Sequence, residues 1–273
     1  MKKDCAVAIP IYKQPNTLEK FSLETLFHVL SRHDIYIVKP ASLNFIAPGA
    51  KNLEFDDSFF ISTKTYGSLM VSESFYRQFS PYENVLIYQL DCLVFRDALK
   101  EWANKKFDYV APTILKRTDG FWPDVDIVGV GGFSLRNVDS CLKVLQNLKL
   151  PQHAEQRQKL ADRINKNGAE DMFWSLQAKN LLPTFKIPDP QTALEFGYES
   201  SPYESRRRSK KTPFGCHHWF TLHYFFFYLL ILKIPPHRKV YSLLTVCPTL
   251  ILLHMKDLAR RGFEATKRYR RYN

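Results

Sequence analysis

The stretch that most constrains the fold is Asn84–Leu90 (NVLIYQL), apolar at Val85, Leu86, Ile87 and Leu90 without the alternation of a half-exposed strand. Such a strand must be buried on both faces, which is the situation of strands inside a parallel sheet covered by helices. The segments around it follow the same rhythm. Cys5–Tyr12 is an apolar run, and Thr17 to about Leu30 carries Phe21, Leu23, Leu26, Phe27 and Leu30 at near-helical spacing. Thr17 is the expected cap of that helix, with Lys20 rather than an acid at the third position. Asp34–Pro40 and Lys51–Phe55 offer further strands, as does Phe107–Ala111, which ends at Pro112. Strands alternating with helices predict an α/β fold with a mostly parallel central sheet flanked by helices.

The chain has 273 residues, enough for one large domain or two modest ones, and 21 Phe with 14 Tyr supply ample material for a core. The net charge of +12 at first suggests a nucleic-acid partner, but its placement argues otherwise. Residues 201–273 hold 15 Lys/Arg against 3 Asp/Glu, whereas residues 1–200 hold 24 of each, so the body is neutral and the tail carries the excess. Five cysteines without a C-x-x-C pair fit reduced thiols. The opening MKKDCAVAIPIY is too short an apolar stretch for a secretory signal, so a cytoplasmic location is expected. Neither G-x-G-x-x-G nor G-x-x-x-x-G-K-[ST] occurs. A doubly wound fold without those loops must place its ligand groups elsewhere, and the carboxyl ends of the strands are the usual place.

Four segments carry groups suited to chemistry. In YQLDC, Tyr88–Cys92, Asp91 closes a buried strand, where a carboxylate needs a hydrogen bond, a partner or a cation; capping a following helix would satisfy it equally. In Asp126–Asn137, Gly129, Gly131 and Gly132 permit close approach to a ligand or simply make a tight turn. In Gly168–Leu176, Glu170 and Asp171 precede Met172, Phe173 and Trp174; a helix dipole accounts for one acid and leaves one spare for general-base work. In Thr212–Trp219, the adjacent His217 and His218 suggest phosphate or metal contact, although a lone histidine is commonly structural. Asp91 with one of these histidines would give the mixed oxygen and nitrogen ligation of a divalent ion, provided the fold brings them together.

The basic end has its own pattern. Arg206, Arg207, Arg208, Lys210 and Lys211 precede the aromatic stretch Trp219–Ile234, which is too short to span a bilayer, and KRYRR lies near the end. Aromatic residues beside basic clusters fit an element on a membrane surface; a buried helix pair or a subunit interface is the alternative. No zinc finger, helix-turn-helix or RNA-binding motif accompanies the charge, so no nucleic-acid partner is expected.

Together, Tyr88-Gln89-Leu90-Asp91, Val130-Gly131-Gly132-Phe133-Ser134-Leu135-Arg136, Glu170-Asp171-Met172-Phe173-Trp174 and Pro213-Phe214-Gly215-Cys216-His217-His218 resemble, in order and spacing, a bacterial family of glycosyltransferase-like proteins found in capsule and lipopolysaccharide gene clusters. The resemblance covers about residues 5–220. It implies a GT-A-like fold over residues 1–218, a helical extension over 219–273, a nucleotide-diphosphate sugar donor and a divalent metal, Mn²⁺ or Mg²⁺. By the same resemblance Asp91 holds metal and diphosphate, with Gln89 where a first acid often stands, and His217 is a further metal ligand. Gly131 and Gly132 wall the donor or the acceptor sugar, Arg136 lies along the donor, Asp171 is the base of an inverting transfer, a retaining one being the alternative, and Glu170 orients the acceptor or the base. Tyr12, near the end of the first strand, stands at a nucleobase-stacking position, where closing the core is the other reading. The implied acceptor is a glycan or lipid-linked glycan at the cytoplasmic face of the inner membrane. A nucleotide-sugar hydrolase and a non-catalytic protein of a glycan-synthesis complex are the competing readings.

Overall fold

The computed structural model describes residues 2–116, 125–199, 201–221, 224, 225, 227, 228, 246–252 and 255. Its strands are β1 (Lys3–Pro10), β2 (Asp34–Pro40), β3 (Lys51–Phe55), β4 (Tyr82–Tyr88), β5 (Leu93–Val94), β6 (Tyr109–Val110), β7 (Thr113–Ile114), β8 (Ile127–Val128), β9 (Phe133–Asn137), β10 (Gly197–Tyr198) and β11 (Gly215–Cys216). Its helices are α1 (Thr17–Val29), α2 (Thr63–Met70), α3 (Glu73–Gln78), α4 (Leu99–Asn104), α5 (Val138–Leu148), α6 (Ala154–Asn167), α7 (Asp171–Leu176), α8 (Ala178–Leu181), α9 (Pro190–Ala193) and α10 (Pro202–Ser209).

Six strands form the central sheet in the order β3-β2-β1-β4-β9-β6. The first four pair in parallel, and β9 runs antiparallel to both β4 and β6, so β9 alone opposes the common direction. The expected α/β architecture is therefore present. The unbroken apolar run of β4 has a direct cause: Val85 and Ile87 enter the core on one face, packed with residues of α2, α3 and α5, while Leu86 and Tyr88 enter the core on the other, with residues of α1 and α4. The cap of α1 differs from expectation. Asn16, not Thr17, accepts from the Leu18 and Glu19 amides, and the Asn16 amide in turn donates to the Glu19 carboxylate, a reciprocal capping box that Thr17, one residue inside the helix, has no reach to make.

Two smaller sheets complete the set, β10-β11-β5 and β7-β8. The three-stranded sheet lies on a third core formed with Leu18 and Phe21 of α1. Trp219, Phe225, Tyr228, Val246 and Leu250, all from the stretch expected as an extension, are buried in that core, while Ile251, Leu252 and Met255 are exposed. The remainder of the expected extension lies largely outside the described residues. Among the described residues, no helix is long and apolar enough to cross a membrane.

Candidate active site

β1 sends its connection to β2 on one side, and β4 pairs on the other, so the carboxyl ends of β1 and β4 border the crevice where the strand order reverses. Ligands of open α/β sheets bind at such a point. A cleft of about 340 Å³ opens there, lined by Tyr12 and Lys13 after β1, by Gln89 and Asp91 after β4, and by Ser62 and Tyr66 at the start of α2. The cleft thus gathers three of the expected residues, Tyr12, Gln89 and Asp91. Tyr12 is 58% exposed, and the Lys13 ammonium lies 5.6 Å from its ring centroid.

The small sheet explains how distant residues meet at Asp91. β10 and β11 are parallel, so Glu199 and His217, each one residue beyond its strand, emerge side by side. β5 runs antiparallel to β11 with Leu93 opposite Cys216, which brings Asp91, two residues before β5, to the same end. There His217 Nε2 is 3.3 Å from Asp91 Oδ2, and its Nδ1 is 2.8 Å from Glu199 Oε2. Burial disfavours the imidazolium, but Glu199 and Asp91 outweigh it and hold His217 well above the usual histidine range. Asp91 is the converse: burial pushes its carboxyl up, and His217 more than compensates, leaving it below its ordinary value. His218 takes a left-handed φ of +60° and its side chain is exposed, so the adjacent histidines are not equivalent.

The antiparallel β4–β9 register, Tyr88 opposite Phe133, extends by one more bond from the Gln89 amide to the Gly132 carbonyl at 2.8 Å. This sets the glycine pair against the strand-end residues. A Cβ on Gly132 would lie 2.5 Å from Gln89 Oε1 and 2.7 Å from His217 Nε2, and one on Gly131 would run into Glu170. The glycines therefore make room for protein side chains, and neither lines the cleft.

Asp171 is the first residue of α7. It follows Gly168, whose φ of +74° ends α6 and whose missing Cβ admits the Thr63 carbonyl of α2, fixing the approach of this segment. Burial raises the Asp171 carboxyl above its ordinary value, while the Met172 amide, Arg136, the Gly131 amide and His217 act in the opposite sense. A half-buried carboxyl held up in this way is suited to accept a proton.

Besides the glycine pair, two residues stand elsewhere than expected. Arg136, placed by the resemblance along the donor, is 0% exposed, because β9 is an inner strand and the side chain points into the core between sheet and helices. Glu170, expected to assist at the acceptor, is buried and bonded to Arg136 at 2.8 Å, so its carboxylate is already engaged. Conversely, Glu199, Tyr66 and Lys13 carry no motif in the sequence. Glu199 sits in a loop, and its role rests on the β10–β11 pairing, which has no local signature.

The side chains around Asp91 fit a divalent cation. Oδ2 and Nε2 stand about as far apart as two neighbouring ligands on one ion, and Glu199 on Nδ1 is the second carboxylate that orients a ligating imidazole with Nε2 directed at the metal. Cys92 lies close enough to join them but is a poor ligand: its thiol donates to the Gly132 carbonyl, and burial raises it well above its usual range.

The chain is similar to several solved structures. The galactosyltransferase LgtC, crystallised with donor and acceptor sugar analogues, has a TM-score of 0.48 at 12% identity, over 85% of this chain and 98% of that one. A glycosyltransferase involved in glycosylation of the major capsid of PBCV-1 gives 0.43 at 9%, over 78% and 92%. GlyE of Streptococcus pneumoniae gives 0.44 at 12%, over 80% and 55%. No curated protein matches the sequence. Residues 49–217, from β3 through His217 and including Asp91, the glycine pair and Asp171, match the model described as "Protein of unknown function (DUF5672)", and the chain belongs to that family.

Proposed function

We propose that the protein is a glycosyltransferase that moves a sugar from a nucleotide-diphosphate donor to a hydroxyl of a glycan or lipid-linked glycan. The observation that carries this reading is the Asp91–His217 pair at the carboxyl end of β4, beside a cleft at the strand-order reversal with an exposed tyrosine at its wall. Tyr12 stacks on the nucleobase, Lys13 offers its charge to the diphosphate, and Asp91 with His217 holds Mn²⁺ or Mg²⁺. A bound cation there would neutralise charge on the departing diphosphate. Asp171 accepts the proton of the acceptor hydroxyl as its oxygen bonds to the anomeric carbon and the bond from that carbon to the diphosphate breaks, which inverts the anomeric centre. The nucleoside diphosphate leaves.

The acceptor side is read as a membrane surface on the cytoplasmic face. Exposed Ile251, Leu252 and Met255 beside a basic terminal sequence support that reading. In α10 and just after it, Arg207, Arg208 and Lys211 are paired with Glu204, Asp126 and Glu195, which leaves less of that cluster to attract anionic lipid.

The test is calorimetry of a nucleotide-sugar panel with Mn²⁺ on wild type, D91A and D171A. Metal-dependent binding of one donor, abolished by D91A and kept by D171A, is the expected result. Binding of no donor overturns the reading in favour of a non-catalytic protein, and release of free sugar in place of a transfer product makes the protein a hydrolase.

A further inference from the structure

We propose that Arg136 is the positioning residue for the proton-accepting side of the site, a guanidinium sealed in the core that fixes the Asp171 carboxylate through Gly131 and Glu170. This rests on the reading of Asp171 as the base. A guanidinium has five N–H donors in a rigid fork, and all five are used here. Nε donates to Ser134 Oγ at 2.9 Å. Nη1 donates to Tyr76 Oη at 2.9 Å and to the Met70 carbonyl at 3.5 Å. Nη2 donates to the Gly131 carbonyl at 3.3 Å and to Glu170 Oε1 at 2.8 Å. One side chain thereby ties β9 to the end of α2, to α3, to the glycine loop and to the residue that precedes α7.

Two of these acceptors adjoin Asp171. Glu170 is its chain neighbour, and the Gly131 amide is among the groups that lower the Asp171 carboxyl, while the Gly131 carbonyl is held by Arg136 at 3.3 Å and by Ser134 Oγ at 2.9 Å. The missing Cβ of Gly131 lets Glu170 close on the loop. Tyr109 and Trp174 rings stand 5.6 and 5.8 Å from the guanidinium carbon and shut out water. An apolar side chain would fill this space without the desolvation cost of a buried ion pair, so packing alone does not account for arginine here. Lysine would keep the charge and lose the fork.

The charged and titratable groups that act on Asp171 are Arg136, Glu170, His217 and Tyr109, together with the Gly131 and Met172 amides. The test is ¹³C-carboxyl NMR titration of aspartate-labelled wild type and R136K, with D171N identifying the resonance, together with donor calorimetry and transfer kinetics. In folded R136K the Asp171 midpoint is expected to move by about one pH unit. Donor affinity is expected to stay within about threefold while kcat falls about tenfold or more with little change in KM. An unchanged midpoint and kcat in folded R136K overturn the proposal and leave Arg136 as core filling. Should R136K fail to fold, Y76F removes a single anchor of the fork, and the same two readouts decide in the same way. The titration needs no substrate. Absence of any transfer by wild type would therefore defeat the functional reading while the positioning role still stands or falls on the midpoint.

Discussion

His217 Nε2 lies 3.3 Å from Asp91 Oδ2, a contact between two residues of the family-matched region that stand far apart in the sequence. It exists because β11 and β5 are antiparallel partners in a sheet of three very short strands. Glu199 closes the arrangement from the other side of the imidazole.

That second carboxylate gives the first prediction. Glu199→Gln keeps a hydrogen-bond acceptor near Nδ1 but weakens orientation of the ring, so Mn²⁺ affinity is expected to fall about tenfold or more with the fold retained. Calorimetry with Mn²⁺ and a circular dichroism melt check both halves.

Gly132→Ala acts on the same centre by sterics. Its Cβ would press on Gln89 Oε1 and His217 Nε2, so both side chains must move, and a shift of the imidazole disturbs its pairing with Asp91. Loss of metal-dependent donor binding is expected, and a variant that binds donor as well as wild type would show that the ring has room to yield.

For Asp171 the signs of activity and stability oppose each other. Its pKa is raised by burial above the ordinary 3.8, so the base is ionised, and transfer speeds up, as pH climbs through that raised value. The stabilising contribution of a raised carboxyl is complete below its unfolded pKa and lost as pH rises through the folded one. Asp171→Asn is therefore expected to abolish transfer yet melt above wild type at pH 7–8, with the difference vanishing below about pH 4. Melting curves across pH, alongside a transfer assay, would show it.

Asp34 behaves in the opposite sense. Hydrogen bonds from Lys3 and Lys51 hold its carboxyl well below the usual range and tie β2 to both of its neighbours. Its stabilisation is present above the unfolded pKa and is lost as pH falls through the folded one. Because the group is partly exposed, Asp34→Asn is expected to cost only about 1 kcal/mol or less at pH 7, a drop in Tm of about 2–4 °C, and the gap should close in acid.

Tyr12 is exposed and carries no packing duty, so Tyr12→Ala should leave Tm unchanged. Removal of a base-stacking ring is expected to weaken donor binding by about tenfold, corresponding to about 1–3 kcal/mol per stacked base. Equal affinities for donor in wild type and variant would exclude Tyr12 from the base site.

The sequence by itself determined those features that short-range pattern controls. The spacing of Leu23, Leu26, Phe27 and Leu30 marks a helix because side chains three and four apart share one face, and the unbroken run in β4 marks a strand buried on both sides. Asp91 at the end of that run is conspicuous for the same reason, since a carboxylate there needs a partner. Sheet order and register decided the rest. Arg136 has the same sequence neighbours whether it faces a ligand or the core, and only the placement of β9 inside the sheet, with Tyr76 and Glu170 converging from separate helical segments, makes it a fully bonded interior cation. Glu199 becomes the partner of His217, and His217 rather than His218 the partner of Asp91, through strand pairs of two residues each. Such pairings are too short to leave a periodic trace, and their energy comes from contacts between residues far apart in the chain.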